Sequence, residues 1–419
     1  MLIQKIRSIF SGEFIRNVGW LGGAELCNRV FRLATTVTLA RTFSREDYGL
    51  TAIVYTVVEL ANVFTLRQGI GAKIVQADRE DVEVLSNTSY WLNWMLCIFI
   101  FVGQGVGSLI ISNFYQNDRL ILPITTAGIM YLMMPLYLIN SALIQRKNKL
   151  KIIALCNGIQ SLLANIVTVI LALMGLGVWA IVWPMVLTTP VWIIITWKYQ
   201  SWRPPNFFTL LRWQEITSFG GNLLGVELLG KIRGNIDYLM IGHFLGIEAL
   251  GLYYFAFNAG LGISMNVINA FNSALFSYFC EVKNNLEKLK ERFWISLKKT
   301  YIIIGPLIIL QSCLAPFYVP IIFGEKWQPA IPILILICLS AMPISLGANA
   351  FHLLNAVGKT HITLYWNIIF TVAFALVILG VIQGGIIWVA VAVLAYQFLA
   401  VPLFTVWSFN YIFTKKLKV

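Results

Sequence analysis

The strongest constraint on this chain is a succession of apolar stretches, each roughly 20 to 30 residues long, separated by brief clusters of charge and turn residues. About 20 apolar residues in helical form cross the hydrocarbon core of a bilayer. Water-free surroundings force each stretch to satisfy its backbone internally, so the spans are helices. The chain is 58% apolar or aromatic and 12% charged, with a mean hydropathy of +0.77. A soluble chain carries roughly twice that charged fraction. The expected fold class is therefore all-α and integral to the membrane. A β-barrel is excluded, because its short alternating strands do not produce such runs. Twelve spans leave no room in 419 residues for a soluble domain, which disfavours ATP-driven pumps with their own nucleotide domain, sensor kinases and glycosyltransferases with a large catalytic loop.

The spacing predicts twelve transmembrane helices, near 15–41, 47–72, 84–112, 120–145, 150–174, 177–198, 214–243, 247–278, 298–323, 328–356, 360–381 and 385–413. With both termini cytoplasmic, most Lys and Arg fall on the inner loops, while the outer ones hold only Arg41, Arg45, Arg119 and Lys326. That asymmetry sets the orientation, and it accounts for a net charge of +13 without nucleic acid as a partner. The six cysteines form no CxxC pair and read as packing residues. No cleavable signal is expected, since the first apolar stretch contains Glu25, Arg29 and Arg32.

An internal repeat organises the chain. Laid so that Gly19 falls on Gly221, the segment GWLGGAELCNRVFRL matches GNLLGVELLGKIRGN and, without a gap, FSREDYGL matches LGIEALGL. Glu25, Arg29, Glu46 and Gly49 then coincide with Glu227, Lys231, Glu248 and Gly251. Six helices, an even number, separate the copies, so both enter the membrane in the same direction. The expected architecture is two parallel-repeat six-helix lobes around a central cavity. Residues 1–198 form the N-lobe, 199–213 a cytoplasmic linker and 214–419 the C-lobe.

Ionisable groups at helix centres cost at least a few kcal/mol and usually face a cavity or a partner. Here they gather on three spans. The first carries Glu25, Arg29 and Arg32 on one face, the seventh carries Glu227, Lys231, Arg233 and Asp237, and the second carries Glu59 and Arg67. Five bases oppose four acids. A hydrated cavity of that sign suits a phosphate or pyrophosphate, whose oxygens match the guanidinium fork. The bland alternative is that Glu25 with Arg29, Glu227 with Lys231 and Arg233 with Asp237 are i,i+4 ion pairs neutralising one another. Helical geometry rotates Arg233 and Asp237 away from the Glu227 and Lys231 face, and Arg67 has the further option of snorkelling to the headgroups.

Other motifs are weaker. GQGVGS, with Gly103, Gly105 and Gly107, lacks the βαβ context of a dinucleotide loop and reads as helix packing. His352 and His361 read as packing residues, and no metal-ligand spacing occurs. Ser44 and Asp47 form a capping box opening the second span. The run EVKNNLEKLKERFWISLKK reads as an amphipathic cytoplasmic helix lying at the membrane surface between spans eight and nine.

The stretch LARTFSREDYGLTAIVYTVVELANVF followed by LRQGIGAKIVQ, with its echo LGIEALGLYYFAFNAG, resembles the polysaccharide transporter branch (Wzx-like and colanic-acid-exporter-like flippases) of the multidrug/oligosaccharidyl-lipid/polysaccharide exporter superfamily. The resemblance implies alternating access by two lobes and translocation of polyprenyl-pyrophosphate-linked glycan from the cytoplasmic to the outer leaflet of a bacterial inner membrane. Membrane lipids, a glycan polymerase and export machinery are the implied partners. No catalytic motif transfers from the family, so the candidates are this chain's own. Arg29, Arg32, Lys231, Arg233 and Arg67 would bind substrate, with Glu25, Glu59, Glu227 and Asp237 pairing with those bases or exchanging protons. No catalytic residue, metal or cofactor is expected, and a proton or sodium gradient is the expected coupling. The rivals are an ion-coupled exporter of organic cations and a polytopic enzyme of glycan assembly. The positive bias of the charged spans disfavours the first, and the short outer loops disfavour the second.

Overall fold

The structure is a computed structural model that describes residues 31–414, apart from certain side chains of the later spans. Helices account for nearly all of it, with no strand among the described residues. In chain order they are α1 (31–42), α2 (Arg45–Val63), α3 (Arg67–Gln76), α4 (Val82–Tyr115), α5 (Ile121–Ala127), α6 (Ile129–Met133), α7 (Pro135–Arg146), α8 (Leu150–Leu173), α9 (Trp179–Leu187) and α10 (Pro190–Tyr199). After a linker come α11 (Trp213–Phe244), α12 (Ile247–Cys280), α13 (Leu286–Tyr318), α14 (Ile331–Ala356), α15 (Thr360–Val381) and α16 (Ile386–Phe413). Among the described residues, eight helical stretches are long and apolar enough to cross a bilayer, and a ninth if Asp118–Met133 and Pro135–Arg146 count together across a 52° bend. α11 is 32 residues long but carries Glu215, Glu227, Lys231, Arg233 and Asp237.

Three expected spans differ from their continuous reading, the sixth dividing at Thr188 and Thr189 between α9 and α10. The second breaks at residues 64–66, where Leu66 adopts a left-handed backbone (φ 52°) although neither Gly nor Pro is present. The break survives in an apolar setting because its freed polar groups find partners. Thr65 Oγ1 donates to the Asn62 carbonyl (2.7 Å), and Asn93 Nδ2 of α4 donates to the Thr65 carbonyl (3.0 Å). The fourth span bends at Pro135, the first residue of α7, where a missing N–H costs nothing.

The charged run before the ninth span is not a separate surface helix. It is the first part of α13, continuous for 33 residues from an Asn285 side chain that accepts the Lys288 N–H at 3.0 Å. No helix breaker separates Lys299 from the apolar half. Leu289 and Phe293 are buried beside Phe279, Leu353 and Ile412, so the apolar face packs on protein rather than lipid.

The described chain falls into two compact units. One takes in Val57–Gly225 and the described residues up to Phe43; the other takes in Ser44–Thr56 and the described residues from Val226 on. In the first, Ile70, Ile74, Leu85, Tyr137, Leu138 and Trp192 belong to one buried core. Its linker is pinned to α4: Thr88 Oγ1 donates to the Leu211 carbonyl (2.7 Å), Trp91 Nε1 to the Phe207 carbonyl (2.8 Å), and Arg212 to Asp81 (2.5 Å). The hydrogen bonds it donates to the Glu215 and then the Asp81 carboxylate hold the Arg212 guanidinium above its ordinary pKa.

In the second unit the start of α2 packs against α12, its counterpart in the repeat. A Cβ on Gly49 would lie 2.0 Å from the Ile247 carbonyl oxygen, and one on Gly251 would lie 1.8 Å from that of Arg45. Arg45 and Ile247 are themselves repeat equivalents, so the contact is reciprocal, as around a local two-fold axis. Trp327, fully buried, stacks on Phe255 (4.0 Å between centroids) and meets the edge of Tyr48 (4.8 Å), while Arg45 donates to the Lys326 carbonyl (2.9 Å). The capping box forms as expected. Ser44 Oγ accepts the Asp47 N–H (3.0 Å), and the Asp47 carboxylate accepts the Ser44 N–H (3.1 Å). Asp47→Ala is expected to cost about 1 kcal/mol, read as lower thermal stability of the purified protein, and Asp47→Asn to lose less.

Candidate functional site

Asp237 and Arg233 lie one helical turn apart on α11, and both line a cavity of about 370 Å³ inside the second unit. The structure gives each a partner on another helix. The buried Asp237 carboxylate accepts the Tyr253 hydroxyl of α12 (2.8 Å) and the N–H of Tyr238 (3.0 Å). Arg233 Nη1 donates to the Asn367 side-chain oxygen of α15. Asn272, whose Oδ1 is buried without a partner, and Gln397 add further polar groups. Phe351, Trp366, Phe370 and Phe404 supply apolar walls. The cavity combines a guanidinium, a carboxylate held by a phenol, amides and aromatic faces. This chemistry holds an anionic oxygen at the cation and an apolar or sugar face against the rings.

Of the residues expected to act together, the structure unites some and separates others. Glu227 and Lys231 are half-buried on α11, engaged by neighbours, and absent from the cavity wall. Their departure from the Arg233 and Asp237 face follows the helical rotation foreseen from spacing. Thr56 of α2 donates to Asn235 (3.1 Å), and Asn235 donates to the Lys231 carbonyl (2.9 Å), tying this part of α11 to α2. Glu59 is half-buried on α2 and also engaged. Arg32 is exposed on α1, its carbonyl accepting the Thr36 hydroxyl at 2.9 Å. Glu25 and Arg29 lie outside the described residues.

Arg67 belongs to the first unit. The break at 64–66 makes it the first residue of α3, and its guanidinium lies 5.5 Å from the Trp192 ring centroid and 5.8 Å from that of Tyr137. Such cation–π contact holds an arginine without a carboxylate. Asn272, Asn367, Tyr253 and Gln397 were not singled out from sequence. Neutral polar residues in apolar helices are too common to signal a site until packing brings them to one wall. Among the described residues, no cluster of His, Cys, Asp and Glu could hold a metal ion.

A family model described as "Polysaccharide biosynthesis protein" matches residues 38–332. The teichuronic acid biosynthesis protein TuaB of Bacillus subtilis (strain 168) is 26% identical over 394 residues, covering 92% of this chain and 81% of TuaB. The lipopolysaccharide biosynthesis protein WzxC of Escherichia coli (strain K12) is 26% identical, covering 84% of this chain and 72% of WzxC. Among solved structures, the lipid II flippase MurJ in an inward closed conformation superposes with a TM-score of 0.75 at 14% identity, covering 95% of this chain and 90% of MurJ. An inward-facing MATE family multidrug transporter of the MOP superfamily gives 0.74 at 12% identity, covering 94% and 96%. The fold is thus that of the MOP-type transporters, a multi-pass all-α membrane fold, and the chain belongs to the polysaccharide biosynthesis protein family.

Proposed function

We propose that this protein is a flippase that moves polyprenyl-pyrophosphate-linked oligosaccharide from the cytoplasmic to the outer leaflet for exopolysaccharide, capsule or O-antigen assembly. The observation that carries this reading is the joining of a transporter fold to a glycan-biosynthesis family in one chain. Relatives bear names from teichuronic acid and lipopolysaccharide biosynthesis, and MurJ, of like fold, is named for flipping lipid II. Family and fold point to transport rather than to catalysis.

Within the proposal, twelve helices form two parallel six-helix lobes around a central cavity that opens to each side in turn. Arg29, Arg32, Lys231, Arg233 and Arg67 engage the pyrophosphate or acidic sugars, with Arg233 supported by its place on a cavity wall. Glu25, Glu59, Glu227 and Asp237 hold those bases or carry a coupling proton. No cofactor takes part, and a proton or sodium gradient drives turnover. The protein sits in the bacterial inner membrane with both termini cytoplasmic, and a glycan polymerase and export machinery receive the product.

The test is translocation in proteoliposomes holding the purified protein and a labelled polyprenyl-pyrophosphate oligosaccharide, scored by access of the glycan to an impermeant reagent. The expected result is protein-dependent exposure of the label. Absence of that movement, together with gradient-driven efflux of a cationic dye, would reassign the fold to export of organic cations.

A further inference from the structure

Three loops of the first unit converge on a second cavity, of about 680 Å³, whose lining includes none of the ionisable residues of the charged spans. Arg79 comes from the turn before α4, Arg146 and Lys147 from the end of α7, and Arg203 from the linker. Glu83 is the acid on its wall. These are segments that the positive-inside pattern assigns to the cytoplasmic side.

The cations are placed but incompletely used. Arg146 Nη1 donates to the carbonyls of Ile74 (3.1 Å), Val75 (2.9 Å) and Ala77, capping the end of α3, while its remaining nitrogens have no acceptor among the described residues. Arg203 is held by the carbonyls of Trp197 (3.1 Å), Gln200 (2.8 Å) and Trp202 (2.8 Å), with its guanidinium 4.8 Å from the Trp197 ring centroid. Lys147 Nζ reaches Gln200 Oε1 (2.9 Å). Carbonyls orient these groups without cancelling their charge. A second observation points to a ligand. Ser86, fully buried on α4, lines this cavity, and its hydroxyl has no hydrogen-bond partner. An orphaned buried hydroxyl is unfavourable, and an anionic oxygen that accepts from it removes that penalty. Trp202, on the wall, packs edge-on against Tyr90 (5.9 Å), an aromatic setting common at headgroup depth.

We infer that this cavity binds the phosphate head of a cytoplasmic-leaflet lipid, with Arg79, Arg146, Lys147 and Arg203 around the phosphate and Ser86 donating to it. Basic pockets between membrane helices on the cytoplasmic side take anionic headgroups. The phosphate has two sources: a resident anionic phospholipid, or the pyrophosphate of the glycan carrier captured before it enters the transport path. Only the second source, and the leaflet assignment, rest on the proposed function.

The full chain is purified, placed in phosphatidylcholine nanodiscs, and titrated separately with phosphatidylglycerol and with a glycan-free polyprenyl pyrophosphate. Retained lipid is read by native mass spectrometry and lipid-induced stabilisation by thermal shift. The variant is Arg79→Gln with Lys147→Gln, since neither side chain caps a helix. Each base removed at a membrane surface weakens anionic-lipid binding about five-fold, so the double variant is expected to bind more than about ten-fold more weakly with its lipid-free Tm unchanged. Ser86→Ala is expected to keep or raise the lipid-free Tm while reducing the shift produced by lipid. Loss of phosphatidylglycerol binding in the variants identifies a resident phospholipid site; loss confined to the polyprenyl pyrophosphate identifies a carrier capture site. Retention of phosphatidylglycerol and polyprenyl pyrophosphate no better than phosphatidylcholine, or equal binding by wild type and double variant, overturns the inference. Glycan movement is measured separately on the wild type, so failure of the flippase reading is distinct from failure of this site.

Discussion

Gly251→Ala is expected to leave little folded protein in the membrane. The added methyl would meet the Arg45 carbonyl oxygen at 1.8 Å, and Gly49→Ala would meet that of Ile247 at 2.0 Å. Both obstacles are backbone atoms of helices, so no rotamer change makes room. The helices must part, and parting loses the close contacts that hold apolar helices together in lipid, where no hydrophobic force replaces them. We expect each substitution to cost at least about 3 kcal/mol, at the upper end for overpacking. The double variant should cost less than the sum, because once the crossing has opened for one methyl the second finds space. Gly103→Ala is the control. It lies within α4, its Cβ would meet nothing within 4 Å, and alanine there should keep or raise stability by up to about 1 kcal/mol. The measurement is the yield of monodisperse protein from membranes together with its Tm. Equal yields for Gly251→Ala and Gly103→Ala would reject the close crossing.

Arg233→Ala is expected to reduce glycan movement at least about ten-fold per correctly inserted protein, the effect of losing about 1.4 kcal/mol from a charged contact at the rate-determining point. Arg233→Lys should recover only part, because an ammonium replaces the guanidinium fork with a point charge. Asp237→Asn and Tyr253→Phe separate function from stability. Tyr253→Phe removes the hydroxyl that the buried carboxylate accepts at 2.8 Å, so its main effect is lower Tm. Asp237→Asn keeps an acceptor for that hydroxyl while abolishing the charge. If Asp237 carries a coupling proton, Asp237→Asn loses the response of transport to an imposed pH gradient while retaining most of its stability. Wild-type rates for Arg233→Ala in proteoliposomes would remove this cavity from the transport path.

The membrane class, the positions of the long apolar helices, the Ser44–Asp47 capping box and the rotation of Arg233 and Asp237 away from Glu227 and Lys231 were all legible in the sequence. Each depends on relations within one or two helical turns, or on hydropathy that needs no knowledge of neighbours. The repeat was legible too, and with it the pairing of Gly49 with Gly251 as equivalents. That these two glycines touch each other's helices was not, because equivalence in sequence does not specify proximity. Tertiary structure decided the break before Arg67, which Asn93 makes tolerable by reaching across from α4. It decided that the charged run 286–299 continues into its span, since Leu289 and Phe293 found protein to bury against. It also chose Tyr253 and Asn367 as partners for Asp237 and Arg233, and gathered Arg79, Arg146, Lys147 and Arg203 from three loops around Ser86. Local chemistry sets what a helix is and which face carries charge. What that charge meets is set by packing between segments far apart in the chain, where a single polar side chain from another helix changes which arrangement is stable.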